Sequence, residues 1–339
     1  MDKAKAVLYA LLAAAFYAIN VPLSKMLLNH VGPTTMAALL YLGAGVGIGI
    51  MSLGSRQRGE RLSGQDAPYV IGMIVLDIAA PIFLMLGISY GSSSNASLLG
   101  NFEIVATTVI ALFLFRETVT KRLWGAIGLI TASSILLSFE GEESLHFSLG
   151  SLLVLLAAAS WGFENNCTRN LSSKSTYEIV ILKGLCCGFG SLLIGLIKGE
   201  QMPSLQYVAL ALILGYVAYG LSIFLYVRAQ RVLGAAKTSA YYAVAPFIGA
   251  FLSFIILHEK LTGMYLLALA IMLAGTALVV VDTMIRNHVH VHRHVFVHTH
   301  DGSTHSHTIT HEHGHDHLVT EDAHYHHHSR QELEQALKP

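Results

Sequence analysis

The chain has 339 residues, of which 53% are hydrophobic and only 12% are charged, and its formal net charge is zero. A soluble domain carries about 25% charged residues, so this deficit argues against a soluble protein and indicates a membrane protein. The cysteines Cys167, Cys186 and Cys187 all fall in apolar segments, so no disulfide framework is predicted.

Ten apolar segments are long enough to cross a bilayer, since a transmembrane helix needs about 20 apolar residues. In chain order they cover residues 6–27, 34–53, 68–88, 93–115, 123–139, 147–167, 177–197, 205–227, 236–257 and 261–282. The first is too long for a signal peptide and no cleavage site precedes a soluble domain, so we interpret it as a retained span. The prediction is an all-α membrane protein with ten transmembrane helices.

Lysine and arginine are concentrated in alternate loops, which sets the predicted orientation. The loops predicted to face the cytoplasm contain Arg56, Arg58, Arg61, Arg116, Lys121, Arg122, Arg169, Lys174, Arg228 and Arg231. The opposite loops contain little beyond Lys198 and Lys260. This asymmetry predicts that both termini lie in the cytoplasm. We further predict a plasma (inner) membrane protein that is a monomer or homodimer and has no nucleic-acid partner.

The chain repeats itself at an offset of 142 to 144 residues. "AAAFYAINVPLSK" (13–25) aligns with "AAASWGFENNCTR" (157–169), and "ALFLFRETVT" (111–120) aligns with "SFIILHEKLT" (253–262). Each half then has five spans, and because five is odd, the second half is inverted in the membrane. The predicted domains are residues 1–142, residues 143–285 and a histidine-rich tail, 286–339.

These motifs resemble the drug/metabolite transporter superfamily, EamA family, over about residues 5–283. The resemblance rests on the aromatic–small pairs followed by Lys25 or Arg169, and on Glu117 and Glu259 closing spans four and nine. It implies a central cavity between spans one, three, four, six, eight and nine, and movement of small metabolites such as amino acids, commonly outward. Span nine has the family's proline, Pro246, whereas the repeat position in span four is isoleucine. The halves are therefore predicted to bend differently.

Charged side chains within a span are costly, about 2.5–3.5 kcal/mol each at its centre, and so indicate function. An intramembrane carboxylate can carry a proton or hold the ammonium of an amine substrate. The alternative is that each carboxylate pairs with a cation such as Lys183, and we favour this for Glu164. The predicted substrate cavity comprises Asn20, Asp77, Asn101, Glu103, Trp161, Glu164, Tyr241 and Tyr242.

Other residues have predicted structural roles. Pro22, Pro81 and Pro246 are expected to break their helices, as hinges or beside a binding site. The segment "GAGVGIG" (43–49) predicts close helix packing rather than a nucleotide loop, because no strand precedes it. Glu117 and Glu259 are expected to cap the next helix or bind a loop cation.

The tail contains sixteen of the nineteen histidines, at 288–328. They alternate with other residues on both sides of Asp301-Gly302, which predicts a hairpin over 288–317 with its histidines on one face. The predicted ligands of Zn, Ni or Co are the cross-strand pairs His288 with His315, His290 with His313, His292 with His311, and His298 with His305. The alternative is a disordered metal-buffering tail without a register.

The leading functional hypothesis is a secondary transporter, an exporter of a small organic metabolite such as an amino acid or amine, with a metal-binding tail. The alternative cargo is a transition metal or metal chelate delivered or sensed by the tail. A bare ion is disfavoured because the histidines of the first 285 residues lie near span ends. A sensor is disfavoured by the repeat. An enzyme is not expected, since no nucleophile–base constellation appears, and no cofactor is required.

Overall fold

The computed structural model of the chain describes residues 3–54, 60–115, 120–140, 146–171, 174–233, 238, 241–300 and 303–318. Its helices are α1 (Lys3–Ala18), α2 (Asn20–Leu27), α3 (Pro33–Leu53), α4 (Ala67–Tyr90), α5 (Ser93–Leu99), α6 (Phe102–Phe115), α7 (Lys121–Leu137), α8 (Leu149–Asn170), α9 (Thr176–Ile197), α10 (Leu205–Gly215), α11 (Ser222–Leu233), α12 (Ala245–Leu257) and α13 (Gly263–Met284). A short π-helical segment, Tyr216–Leu221, joins α10 to α11. The strands are β1 (Phe139–Glu140), β2 (His146–Phe147), β3 (Ile285–His300) and β4 (Ser303–Leu318).

Six helical segments of the described chain are long and apolar enough to cross a membrane: Lys3–Leu27, Pro33–Leu53, Gly64–Tyr90, Thr176–Ile197, Leu205–Ala229 and Gly263–Asp282. The other four predicted spans are helical where described, but differ from simple spans. Spans four and nine are interrupted, α7 has 17 residues, and α8 carries polar residues in its last turns. The number of ten crossings and their orientation stay predictions.

Spans four and nine are interrupted at equivalent places although only span nine has a proline there, so the proline does not distinguish these two spans. Other repeat mates do differ, since span one is interrupted at Ile19 whereas α8 is continuous. Turns at residues 100–101 and 243–244 precede α6 and α12, which begin 143 residues apart. Span nine has Pro246 in the first turn of α12, where a missing N–H costs nothing. Span four reaches the same break through Gly100 and Asn101, which favour turns because glycine stabilises helices poorly and asparagine competes for backbone groups.

The three predicted proline breaks differ. Pro22 lies in the first turn of α2, just after the interruption between α1 and α2 at Ile19. Pro81 lies inside α4, which continues through it without an interruption, so the predicted break is wrong at this position. Membrane helices tolerate an internal proline where neighbouring helices pack around it, and α4 packs against α8 and α9.

The helices of the two halves correspond at an offset of about 143 residues, and their contacts correspond too. Helix α3 packs along α9, its own repeat mate. The contact of α4 with α8 is matched by that of α11 with α1, and the contact of α6 with α8 by that of α12 with α1. The repeat predicted from the sequence is therefore present in the arrangement of the helices.

Glycines allow the closest approach between the halves, as the segment 43–49 predicts. A Cβ on Gly184 of α9 would lie 2.3 Å from Cα of Gly45 in α3, and a Cβ on Gly43 would lie 2.1 Å from the carbonyl oxygen of Leu212. Both distances are too short for any side chain, so the backbones touch only because glycine has no Cβ. Gly49 has open space around it and takes no part in this packing.

Residues 1–280 and 281–339 form two compact units. In the second, β3 and β4 pair antiparallel in a two-stranded sheet. Several features predicted from the sequence lie outside the described residues: the turn at Asp301-Gly302, Glu117, the loop arginines at 56, 58 and 116, and the tail after 318.

Candidate functional site

A buried ion-pair cluster lies where α4, α8 and α9 meet. The ammonium of Lys183 is 2.9 Å from Oδ2 of Asp77 and 2.9 Å from Oε1 of Glu164. Asp77 is fully buried and Glu164 is 3% exposed, so both carboxylates depend on protein groups rather than on water. Because buried charges are costly without a partner, Lys183 stabilises both and ties the three helices together.

Each of these two carboxylates also accepts a hydrogen bond from a hydroxyl group. Tyr41 of α3 donates a hydrogen bond to Oδ1 of Asp77 at 3.1 Å. Thr168 donates to Oε1 of Glu164, the same oxygen that accepts from Lys183. Thr168 lies four residues after Glu164 in α8, a spacing that brings two side chains to the same face of a helix.

Glu103 lies beside this cluster and has a different kind of partner. It belongs to the first turn of α6, immediately after the turn at residues 100–101, and it is partly buried. Its Oε1 accepts a hydrogen bond of 2.6 Å from Nδ2 of Asn165, the chain neighbour of Glu164. With Glu103, the described residues here include three carboxylates and the single ammonium of Lys183, which contacts Asp77 and Glu164, while Glu103 accepts from a neutral amide.

Tyrosine rings form a second group that connects with the first. The ring of Tyr219, in the π-helical segment, lies 5.2 Å from that of Tyr41 and 5.8 Å from that of Tyr17. Tyr17 in turn lies 6.0 Å from Tyr242. Asn20 donates to the hydroxyl oxygen of Tyr219 at 3.1 Å. A continuous path of contacts thus runs from Asn20 through Tyr219 and Tyr41 to Asp77, and π-helical segments of this kind are frequent at functional sites.

The structure brings five of the eight predicted cavity residues into these two groups: Asn20, Asp77, Glu103, Glu164 and Tyr242. The pairing predicted for Glu164 with a cation is present, and Asp77 shares the same lysine. A role for these residues in substrate binding stays a prediction.

The other three predicted cavity residues have different surroundings. Asn101 is buried at the turn before α6, where its amide donates to the carbonyl of Leu98 at 3.3 Å. Trp161 is partly buried against the hydrophobic core, and its side chain contacts that of Tyr41, so it borders the two groups. Tyr241 has no ring contact or side-chain hydrogen bond to either group among the described residues.

Sequence reasoning left Lys183, Tyr41 and Tyr219 out of the predicted cavity. Lys183 carried a signal, since it is a cation within a span and such residues are rare there. Tyr41 and Tyr219 carried none beyond their type, because tyrosines are common at membrane interfaces. Only the packing of distant helices shows that they face Asp77 and Asn20.

Two glutamates of the second half cap helices of the first. Glu200 accepts from the N–H groups of Thr34 and Thr35 at 3.0 and 2.7 Å, at the start of α3. Glu259 accepts from the first two N–H groups of α5 at 2.7 and 2.9 Å. Glu259 was expected to cap the next helix or bind a loop cation; it does cap a helix, but one in the other half of the chain. A carboxylate stabilises a helix N-terminus because the exposed N–H groups carry partial positive charge.

The pKa of Glu200 reflects this position. Burial raises the pKa of its carboxyl, but the N–H groups and hydroxyls of Thr34 and Thr35 lower it, and the net pKa lies below its usual value. At neutral pH Glu200 is therefore ionised and available as an acceptor.

The tail is described by its backbone register. The Cα partners in the β3–β4 pair include His288 with His315, His290 with His313, His292 with His311 and His298 with His305. Neutral imidazole is a ligand for Zn, Ni and Co, so this arrangement of residue types is compatible with metal binding.

Comparison with protein families matches residues 4–139 and 148–281 to the EamA-like transporter family, once for each half. An uncharacterized transporter of Methanothermobacter thermautotrophicus is 27% identical over 285 residues, which cover 78% of this chain and 82% of that protein. The uncharacterized transporter YoaV of Bacillus subtilis is 26% identical over 204 residues, covering 57% of this chain and 68% of that protein.

A solved structure described only as "Crystal structure of protein" has the same fold, with a TM-score of 0.61 at 17% identity. The match covers 83% of this chain and 98% of that one. The family match extends over both halves and coincides with the repeated, apolar helices, which are those of a multi-pass membrane protein. The chain belongs to the EamA-like transporter family.

Proposed function

We propose that the protein is a secondary transporter that exports a small organic amine or amino acid. Export proceeds by alternating access at a cavity between the two repeats, in the plasma membrane, with both termini in the cytoplasm. Family membership supports transport as the activity, and the outward direction follows the resemblance to the family. The relatives are uncharacterized, so the substrate class rests on the chemistry of the site.

The proposed substrate class rests on one observation. Glu103 accepts a hydrogen bond from the neutral amide of Asn165, while Lys183 contacts the other two carboxylates. An ammonium group is the complement of a partly buried carboxylate whose partner among the described residues is an amide and not a cation, because a fixed opposite charge offsets its loss of water. The tyrosine rings of Tyr17, Tyr219 and Tyr242 can add cation–π attraction to the same ligand. A proton on Glu103 and the substrate ammonium would then compete for one carboxylate, which couples export to proton entry.

The test is counterflow and proton-coupled transport of amino acids and amines in proteoliposomes, comparing wild type with Glu103→Gln. We expect the substitution to lower transport of a cationic amine by at least about tenfold, since loss of one partner of a buried charge pair costs several kcal/mol. The matched control is Glu60→Gln, at an exposed loop carboxylate. Equal transport by wild type and Glu103→Gln would exclude the proposed role of this carboxylate.

A second candidate cargo is a transition metal or a metal chelate, and the histidine pairs of β3 and β4 favour it. In either case we propose that the tail binds Zn²⁺, Ni²⁺ or Co²⁺, as a delivery site or as a sensor. The same vesicles decide between the cargoes when they are assayed with these ions, with and without an organic chelator. Movement of metal without movement of any organic solute would favour the second candidate.

A further inference from the structure

The register of the β3–β4 hairpin sorts its histidines into two classes. Successive residues of a strand lie on opposite faces of a sheet, and directly paired residues lie on the same face. By this rule one face carries all the described histidines of both strands: His288, His290, His292, His294, His298, His300, His305, His307, His311, His313, His315 and His317. The described positions of the other face carry none.

Only some of these histidines have a histidine as their cross-strand partner. Four pairs consist of two histidines, and three of them follow one another without a gap: 288 with 315, 290 with 313, and 292 with 311. We call these three pairs the histidine ladder. The unpaired class lies opposite other residue types: His294 opposite Ile309, His300 opposite Ser303, His307 opposite Phe296 and His317 opposite Arg286.

The spacing of the ladder suits a single ion between two adjacent pairs. Directly opposite Cβ positions in an antiparallel sheet are about 5 Å apart, and same-face positions along a strand are about 7 Å apart. Two adjacent pairs therefore form a rectangle of four histidine positions whose centre is about 4 Å from each Cβ. Zn²⁺ binds four ligands at about 2.0–2.1 Å from each imidazole nitrogen, so a rectangle of this size is compatible with four-histidine coordination.

We propose that the histidine ladder is the high-affinity metal site of the tail, taking one late divalent transition-metal ion between two adjacent pairs. Affinity is then set by the register of the hairpin and not by the number of histidines. The inference rests on the proposed metal binding by the tail. It also gives the ion a role in folding, because an isolated two-stranded hairpin is marginal in water and an ion that joins both strands favours the paired state.

The test uses the full-length protein in detergent and Zn²⁺ as the probe, with affinity measured against a chromophoric chelator and stoichiometry by elemental analysis. The ladder variant carries His290→Gln, His292→Gln, His311→Gln and His313→Gln. The matched control carries four substitutions in the unpaired class: His294→Gln, His300→Gln, His307→Gln and His317→Gln. Both variants lose the same number of histidines from the same face.

We expect the ladder variant to bind its first Zn²⁺ at least about tenfold more weakly than wild type, since it loses at least two ligands, and the control to stay within about threefold. If both variants weaken equally, or if the ladder variant keeps wild-type affinity, the inference is overturned although the tail still binds metal. If a chain ending at Met284 binds Zn²⁺ as tightly as the full chain, the proposed metal binding by the tail fails as well.

Discussion

Replacement of Lys183 by methionine removes the ammonium that lies between two buried carboxylates while keeping a side chain of similar length. In the native protein Nζ is 2.9 Å from Asp77 and 2.9 Å from Glu164, whose side chains are 1% and 4% exposed. Without Lys183, both carboxylates lose their cation, and water cannot replace it at this depth.

The expected cost follows from this geometry. Breaking a buried ion pair by removing one partner costs about 3–5 kcal/mol, because the remaining charge is buried without compensation. The hydrogen bonds from Tyr41 and Thr168 persist and keep the cost within that range. The triple variant Lys183→Met with Asp77→Asn and Glu164→Gln removes all three charges, and we expect it to regain most of the lost stability, to within about 1–2 kcal/mol of wild type.

Unfolding in mixed micelles, followed by tryptophan fluorescence, measures both differences. The single variant should unfold at a markedly lower denaturant fraction than wild type. The triple variant should unfold at a fraction close to that of wild type. A single variant within about 1 kcal/mol of wild type would show that the ion pairs contribute little. A triple variant as unstable as the single one would show that Lys183 acts through packing and not through charge.

Three further predictions concern stability in the same assay. Gly184→Ala should lower the free energy of unfolding by about 1–3 kcal/mol, because its Cβ would lie 2.3 Å from a facing backbone atom. Gly49→Ala, in open space, should leave the free energy of unfolding unchanged or raise it slightly. Glu200→Gln should cost about 0.5–2 kcal/mol, since it weakens the cap of α3. Because the pKa of Glu200 is lowered in the folded state, its contribution is complete above about pH 4.3 and is lost as the pH falls through the lower folded pKa. Tyr41→Phe should cost about 1.5–3 kcal/mol, since it removes a hydrogen bond to the charged Asp77.

Each of these predictions has a result that contradicts it. Equal stability of Gly184→Ala and Gly49→Ala would mean that the helices separate to admit a methyl group. A wild-type protein whose stability relative to Glu200→Gln stays constant from pH 7 to pH 3 would exclude an ionised cap. Wild-type stability in Tyr41→Phe would mean that its hydroxyl contributes nothing to holding Asp77.

Local sequence features predicted the elements well where the physical cause is itself local. Apolar runs of about 20 residues predicted the long helices, and Pro22 and Pro246 lie beside interruptions because proline lacks an N–H. The sequence rule failed for Pro81, where surrounding helices keep α4 continuous, and at Gly100–Asn101, where a turn forms without proline.

The candidate site was only partly predictable, because the sequence shows the charged residues but not their partners. Intramembrane carboxylates are visible in any sequence, since lipid makes charges rare, and this identified Asp77, Glu103 and Glu164. Their partners are not visible, because a side chain has no local signal for a contact with another helix, whether that helix follows next in the chain or comes about one hundred residues later. The choice of Lys183 for Asp77 and Glu164, and of Asn165 for Glu103, depends on which helix faces pack together.

The sequence by itself determined the class of this protein, the repeat and the position of its charges, because composition, periodicity and the cost of charge in lipid act residue by residue. Tertiary structure alone decided that Lys183 contacts two carboxylates, that the amide of Asn165 donates to Glu103, and that Glu259 caps a helix of the other half. These are properties of pairs of distant residues. They exist only after the close approach of helices, permitted here by glycines such as Gly45 and Gly184, has fixed which faces meet.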